Sequence, residues 1–337
     1  MSKQTPLAAV TGAGGFIGSH LVEELLEAGW RVRALVHYNA LGREGHLARV
    51  WPVLDAEKAR RLETVHGDIR DARCVRTFVR GADAVFHLAA LIGIPYSYTA
   101  PQSYLDTNVQ GTLNVLEACR DEKIPRLLHT STSEVYGNAL TTPMDESHPL
   151  QGQSPYSATK IAADKLVESY ACSFDLPALT VRPFNTYGPR QSLRAVIPTI
   201  VAQALAPRCP AVRLGALEPV RDFTFVRDTT RAFVMLAEAK LDGLRGKVFN
   251  LGTGQGISIG SLAQLILDQL EVKKPVELED ERRRPGASEV RLLIGDNRRI
   301  RNAVGWKPQV TLEQGVVRTA DWIAGQLERL KPEVYTK

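Results

Sequence analysis

Apolar and polar positions follow two alternating periods along the first half of this chain. Leu7-Ala8-Ala9-Val10 is a short uninterrupted apolar run, the pattern of a strand buried on both faces. Directly after it, residues 15 to 28 carry Phe16, Ile17, Leu21, Val22, Leu25 and Leu26 at helical spacing. The succession recurs to about residue 182, with strands predicted at 8–11, 31–36, 63–66, 84–88, 126–130 and 178–182 and helices between them. Such alternation predicts an α/β fold, a doubly wound parallel sheet covered on both faces. Residues 39 to 62 are polar and charged around Trp51 and Leu54 and read as an irregular or helical excursion. After residue 183 Pro, Gly and short elements mix, with amphipathic helices at 227–239, 258–270 and 312–330. The expected division is a sheet domain over 1–182 and, over 183–337, mainly a smaller C-terminal α/β lobe with some segments returning to the first domain.

Composition narrows the class. The chain has 337 residues, 44% hydrophobic and 23% charged, as in soluble globular proteins. No apolar run approaches the ~18 residues of a membrane span, and Met1-Ser2-Lys3-Gln4-Thr5-Pro6 lacks an apolar signal core. Cys74, Cys119, Cys172 and Cys209 are scattered with no metal-ligand spacing, which fits a reduced, cytoplasmic setting and no metal site. The net charge of +5 suits an anionic substrate and is too diffuse to argue for nucleic acid. There is no internal repeat and no low-complexity tract.

Candidate chemistry begins between the first strand and helix. Thr11-Gly12-Ala13-Gly14-Gly15-Phe16-Ile17-Gly18 sits where a dinucleotide fingerprint requires it. Gly12 can make the tight turn, Gly15 lets the backbone approach a pyrophosphate, and Gly18 lets the helix pack closely on the sheet. The helix N-terminus then offers free N–H groups and a positive dipole end to phosphates. The sheet domain is therefore expected to be of the Rossmann kind. Further on, Tyr156 and Lys160 stand four residues apart in Ser154-Pro155-Tyr156-Ser157-Ala158-Thr159-Lys160, on one face of a helix. A secondary alcohol gives up hydride readily only as its proton leaves, and a tyrosine of ordinary pKa near 10 is a poor base at neutral pH. A nearby lysine cation and a nicotinamide charge would favour its phenolate. Thr132 supplies a hydroxyl for the reacting oxygen.

The G-x-x-G-x-x-G spacing together with Tyr-x-x-x-Lys resembles the extended short-chain dehydrogenase/reductase superfamily, in particular its nucleotide-sugar epimerases, dehydratases and decarboxylases. The resemblance extends over nearly the whole chain, through Gly67-Asp68-Ile69-Arg70-Asp71, His87-Leu88-Ala89-Ala90, Thr107-Asn108-Val109-Gln110-Gly111-Thr112, Arg182-Pro183-Phe184-Asn185-Thr186-Tyr187-Gly188-Pro189-Arg190, Arg221-Asp222-Phe223-Thr224-Phe225-Val226 and Phe249-Asn250-Leu251-Gly252. It implies a tightly bound NAD or NADP, recycled within each turnover. Gly12, Gly15, Phe16, Ile17, Gly18, Leu88, Ala89, Ala90, Asn108, Tyr156 and Lys160 would bind it, with Asp68 and Ile69 at the adenine. At the end of the second strand, where NAD-specific members place an acid, Val36, His37, Tyr38 and Asn39 carry none. His37 and Arg43 are the groups available to a 2′-phosphate, which leans the choice toward NADP. On the substrate side the resemblance implies Asn185 at the sugar diphosphate, with Arg190 and Arg221 against it.

Glu134, in Ser131-Thr132-Ser133-Glu134-Val135-Tyr136-Gly137, sets the expected sub-class. Epimerases of the family usually carry a small or apolar residue there. In 4,6-dehydratases a carboxylate removes the C5 proton, made acidic by a C4 ketone. The segment looks like that of GDP-mannose 4,6-dehydratases, whereas dTDP-glucose 4,6-dehydratases carry an Asp at the position of Ser133. The expected activity is therefore a nucleotide-sugar 4,6-dehydratase with Thr132, Ser133, Glu134, Tyr156 and Lys160 in the catalytic group. UDP-glucuronate decarboxylases share the segment and are the rival. There an arginine holds the sugar carboxylate, and Arg282-Arg283-Arg284 would contain it, Arg284 being the candidate; yet Gly286 follows Pro285 where the decarboxylases carry an acid. A 4-epimerase of the same family and a non-catalytic dinucleotide-binding regulator also stay open. A homodimer is expected, through a four-helix bundle of helices at about 102–120 and 155–174.

Overall fold

The computed structural model describes residues 5–39, 41–240 and 242–335. The stretch Met1–Gln4, part of the N-terminus read as lacking a signal core, lies outside the described residues, as does Ala40 in the excursion. Seven strands form the central sheet: β1 (Leu7–Thr11), β2 (Arg31–His37), β3 (Leu62–Gly67), β4 (Ala84–His87), β5 (Leu127–Thr130), β6 (Ala178–Pro183) and β7 (Val248–Leu251). Their order is β7-β6-β5-β4-β1-β2-β3, with every pair parallel. Every residue of β1, β4 and β6 is buried, as a sheet covered on both faces demands. From β1 the order runs to β2 and β3 on one side and to β4 and beyond on the other. That reversal opens a crevice at the carboxyl ends of β1 and β4, where ligands of such sheets bind.

The longer helices are α1 (Phe16–Glu27), α2 (Ala72–Val79), α3 (Gly111–Asp121), α4 (Pro155–Ser173), α5 (Val196–Leu205), α6 (Val226–Glu238), α7 (Ile259–Gln269) and α8 (Leu312–Ala324). On one face of the sheet α1 and α6 bury Leu21, Leu25, Phe233 and Leu236. On the other, α2, α3 and α4 bury Phe78, Val115, Leu116 and Val167. The smaller lobe closes around Ile200, Val201, Leu262, Ile266, Val316 and Ile323 of α5, α7 and α8. Among the described residues no helix is long and apolar enough to cross a membrane, and the four cysteines are free.

Two details differ from what periodicity predicts, and the excursion follows it. The seventh strand of the sheet, β7, has its apolar run broken by Asn250, which is fully buried and held by the Glu146 carboxylate, the Met144 carbonyl and the Tyr136 hydroxyl. The helix expected over 312–330 ends at Ala324, before Gly325, and resumes only as a 3-10 turn at Leu327–Arg329. The excursion carries two short helices, Leu47–Val50 and Ala56–Arg60, and β3 starts at Leu62, within a residue of its predicted start.

Candidate active site

A cleft of about 1010 Å³ opens at the switch point of the sheet, the upper end of the range for small-molecule sites. Its floor is the β1–α1 turn. Gly12 has φ +70, and a Cβ there would lie 2.7 Å from the Ala89 nitrogen. A Cβ on Gly18 would lie 2.2 Å from the Gly12 carbonyl oxygen. Only glycine fits either place. Phe16, Ile17 and Gly18 of the first turn of α1 line the cleft, and the N–H groups that open a helix have no intrahelical partner. The Thr11 hydroxyl accepts from the Leu88 and Ala89 N–H groups at 3.1 and 3.2 Å, pinning the loop after β4 beside the turn. The excursion braces the other side, with the His46 N–H donating to the Gly14 carbonyl at 2.9 Å.

The opposite wall comes from β5 and α4. Ser154 and Ser157 form a reciprocal capping box and Pro155 opens the helix, which fixes where α4 begins and aims Tyr156 and Lys160 along one face. Both side chains are buried and line the cleft. Lys160 Nζ donates to the Thr130 carbonyl at 2.7 Å. Burial draws the Lys160 ammonium down to about 8, with the Asp164 charge opposing it. Burial pushes the Tyr156 phenol well above its ordinary value, the Thr132 hydroxyl bond opposing and the Glu134 charge adding to the rise. From sequence, the lysine is expected to favour the phenolate. In the structure desolvation is the largest influence on Tyr156, and the ammonium is turned to Thr130.

Thr132, Ser133 and Glu134 line the same cleft on a 3-10 turn spanning Ser133–Tyr136, with the Glu134 N–H donating to the Thr132 hydroxyl at 3.2 Å. Arg284 Nη1 lies 3.8 Å from Glu134 Oε2 and is buried without a hydrogen-bond partner. Arg221, expected against the diphosphate, is buried, bonded to Glu289 at 3.1 Å, and is not among the residues lining the cleft. Burial lowers its pKa, while the charge of Glu134 raises it and that of Arg284 lowers it.

Of the other predicted residues, Gly15, Phe16, Ile17, His37, Asp68, Ile69, Leu88, Ala89, Ala90 and Asn185 line the cleft. His37 Nε2 is 3.5 Å from Asp68, whose carboxylate is held by Arg70. Two more placements are corrected. Asn108 does not face the cleft: its amide clamps Leu91 N–H and C=O at 2.8 and 3.0 Å and donates to the Thr159 hydroxyl, tying the post-β4 loop to α4. Arg190 does not meet the cleft either, since its guanidinium pairs with Glu23 and donates to the Ser19 hydroxyl on α1. Sequence patterns do not single out Arg70 and Gly45, which also line the cleft. Arg70 falls within one of the family landmarks, whereas Gly45 meets Gly14 only through the folded excursion.

A doubly wound sheet, a glycine-built turn at its switch point and a Tyr-x-x-x-Lys pair across the cleft define a protein of the extended short-chain dehydrogenase/reductase class. Within that class the chain belongs to the nucleotide-sugar dehydratase and epimerase family: residues 9–319 match the family model described as GDP-mannose 4,6 dehydratase. It is 34% identical over 334 residues to a dTDP-glucose 4,6-dehydratase of Xanthomonas campestris, covering 93% of this chain and 92% of the relative. It is 33% identical over 317 residues to a UDP-glucose 4-epimerase of Mycolicibacterium smegmatis, covering 93% and 97%. Among solved structures, the dTDP-glucose 4,6-dehydratase DesIV of Streptomyces venezuelae, with NAD bound, superposes with a TM-score of 0.84 at 30% identity, covering 97% and 99%.

Proposed function

We propose that this chain is an NAD(P)-dependent nucleotide-sugar 4,6-dehydratase, converting a nucleotide-linked hexose or N-acetylhexosamine to its 4-keto-6-deoxy form. The observation that carries this reading is a carboxylate, Glu134, on the lining of the cleft that also holds Tyr156. Relatives named as dehydratases and epimerases support the broader class of reaction. The glycine-only turn fits a dinucleotide: Gly12, Gly15 and Gly18 would admit the pyrophosphate, Asp68, Ile69 and His37 the adenosine end, and Leu88 to Ala90 with Tyr156 and Lys160 the nicotinamide end. When bound, the nicotinamide supplies an acceptor for the C4 hydride and later its donor to C6. With the dinucleotide bound, Lys160 and the nicotinamide charge would favour the Tyr156 phenolate against the effect of burial, and Tyr156, oriented by Thr132, then takes the proton of the 4-hydroxyl. Lys160 keeps positive charge at that end of the cleft below about 8. Glu134 removes the C5 proton, which the C4 ketone has made acidic. The 6-hydroxyl leaves as water, protonated by Glu134 or through Ser133, and as hydride is returned to C6 a proton that has exchanged with solvent is delivered to C5.

Deuterium labelling tests the base. In heavy water the wild-type product should carry deuterium at C5. Glu134→Gln should still oxidise C4, seen as reduced-cofactor absorbance, while elimination slows by about 10²-fold or more. Normal product at an unchanged rate would overturn the assignment. A second reading, decarboxylation of a nucleotide-linked uronic acid, draws on Arg284 Nη1, buried and without a hydrogen-bond partner beside Glu134. There the guanidinium would hold the sugar carboxylate.

A further inference from the structure

We propose that Trp322, on α8 of the smaller lobe, is a positioning residue for the dinucleotide: it braces the excursion after β2, which walls the glycine turn. The inference depends on a dinucleotide occupying that turn and not on the sugar reaction proposed above. Trp322 is not among the residues lining the cleft, so it acts through the excursion.

The excursion meets the turn backbone to backbone. Arg43, Glu44 and Gly45 line the cleft together with Gly14 and Gly15. The His46 N–H donates to the Gly14 carbonyl at 2.9 Å. A Cβ on Gly14 would lie 2.8 Å from the Glu44 carbonyl oxygen, and one on Gly45, at φ +63, would collide with the Gly14 carbonyl oxygen. No side chain fits between the two segments, so a shift of the excursion moves the wall of the turn. On its own the excursion is weakly anchored. Of its described residues only Leu47 and Val50 are fully buried, in the core they share with Leu21 and Leu25 of α1. A segment with so few buried apolar side chains opens locally at little cost.

The smaller lobe supplies the missing hold. The Trp322 ring lies edge-on to the His46 ring, with centroids 6.5 Å apart and planes at 71°. The Arg49 guanidinium lies over the Trp322 ring, 5.9 Å from its centroid. Arg49 Nη2 also donates to Gln326 Oε1 at 2.7 Å, just past the end of α8. His46 therefore works in both directions: its ring meets the lobe and its N–H holds Gly14. The turn meets the same lobe directly, since Phe16 and Ile17, which line the cleft, pack against the core of α5, α7 and α8. Both lobes thus hold the dinucleotide turn, and Trp322 is where α8 grips the excursion.

The test is calorimetric titration of NAD, NADP and ADP-ribose into full-length protein freed of nucleotide, with the melting temperature of the nucleotide-free protein read alongside. Trp322→Ala should weaken binding of the preferred dinucleotide by about tenfold. Trp322→Phe, which keeps an aromatic face, should restore most of it. ADP-ribose should lose as much, because the excursion walls the pyrophosphate and adenosine end. Should Trp322→Ala fail to fold, since the ring also packs against the core of the smaller lobe, Arg49→Met removes the guanidinium from the ring and from Gln326 at an exposed position. That variant should weaken both ligands by about threefold or more. A lower melting temperature with affinity unchanged, in either variant, would mean a purely structural role and overturn the proposal. So would a loss with the dinucleotide that ADP-ribose does not share, which would put the effect at the nicotinamide end.

Discussion

Gly18 has no room for a side chain. A Cβ there meets the Gly12 carbonyl oxygen at 2.2 Å and the Ala13 Cα at 2.9 Å, both backbone atoms that cannot swing aside. Gly18→Ala must therefore open the turn proposed to hold the dinucleotide. Calorimetric titration should show NAD(P) binding weakened by about tenfold or more, some ~1.4 kcal/mol; unchanged affinity would contradict the assignment of this turn. The lining of the cleft was legible at this scale wherever residues sit at fixed local spacing, as in the glycine turn, Tyr156 with Lys160, and Glu134. It was illegible where a side chain's partner is distant in sequence. Nothing near Arg190 tells that it meets Glu23 rather than a phosphate, and nothing near Asn108 tells that it holds Leu91. Asp164 reads as one more polar position on α4 until β5 and β6 bring His129 and Arg182 against it.

Among the elements, Glu23 ties α1 to two of its neighbours at once. Glu23 bonds Arg190 after β6 and Arg227 on α6, and lies 3.6 Å from the His20 ring. Burial alone would raise its pKa, but the His20 and Arg190 bonds and the Arg190 and Arg227 charges hold it at about 2. The folded value lies below the ordinary 4.5 of a free carboxylate, so the stabilisation is complete above about 4.5 and is lost as pH falls toward 2. Glu23→Gln should cost on the order of 3 kcal/mol at neutral pH. The gap in melting temperature between variant and wild type should narrow as pH drops through that window; a gap independent of pH would exclude the linkage. Strands are legible to within one or two residues because buried parallel strands are short apolar runs. β7 escapes because Asn250 breaks its run, its polarity satisfied by Glu146, Met144 and Tyr136, which no local pattern reveals. For α8 the apolar periodicity continues past Gly325 through Leu327 and Leu330, so the pattern overruns a helix that ends at Ala324.

At the scale of the molecule, the two faces of the sheet and the smaller lobe converge on one cleft, with β7 and α6 returning from the second half of the chain to the sheet domain. The expected assembly is a homodimer through a four-helix bundle of the segments at about 102–120, which ends as α3, and 155–174, which is α4. Light scattering should return twice the chain mass; a monomer at micromolar concentration would contradict that assembly. The central claim is the reaction itself. The most direct measurement is mass spectrometry of the product formed by purified protein from a panel of GDP-, UDP- and dTDP-linked hexoses, N-acetylhexosamines and UDP-glucuronate. The account predicts a product lighter than its substrate by one water. Loss of carbon dioxide from UDP-glucuronate, or a new epimer of unchanged mass, would contradict it.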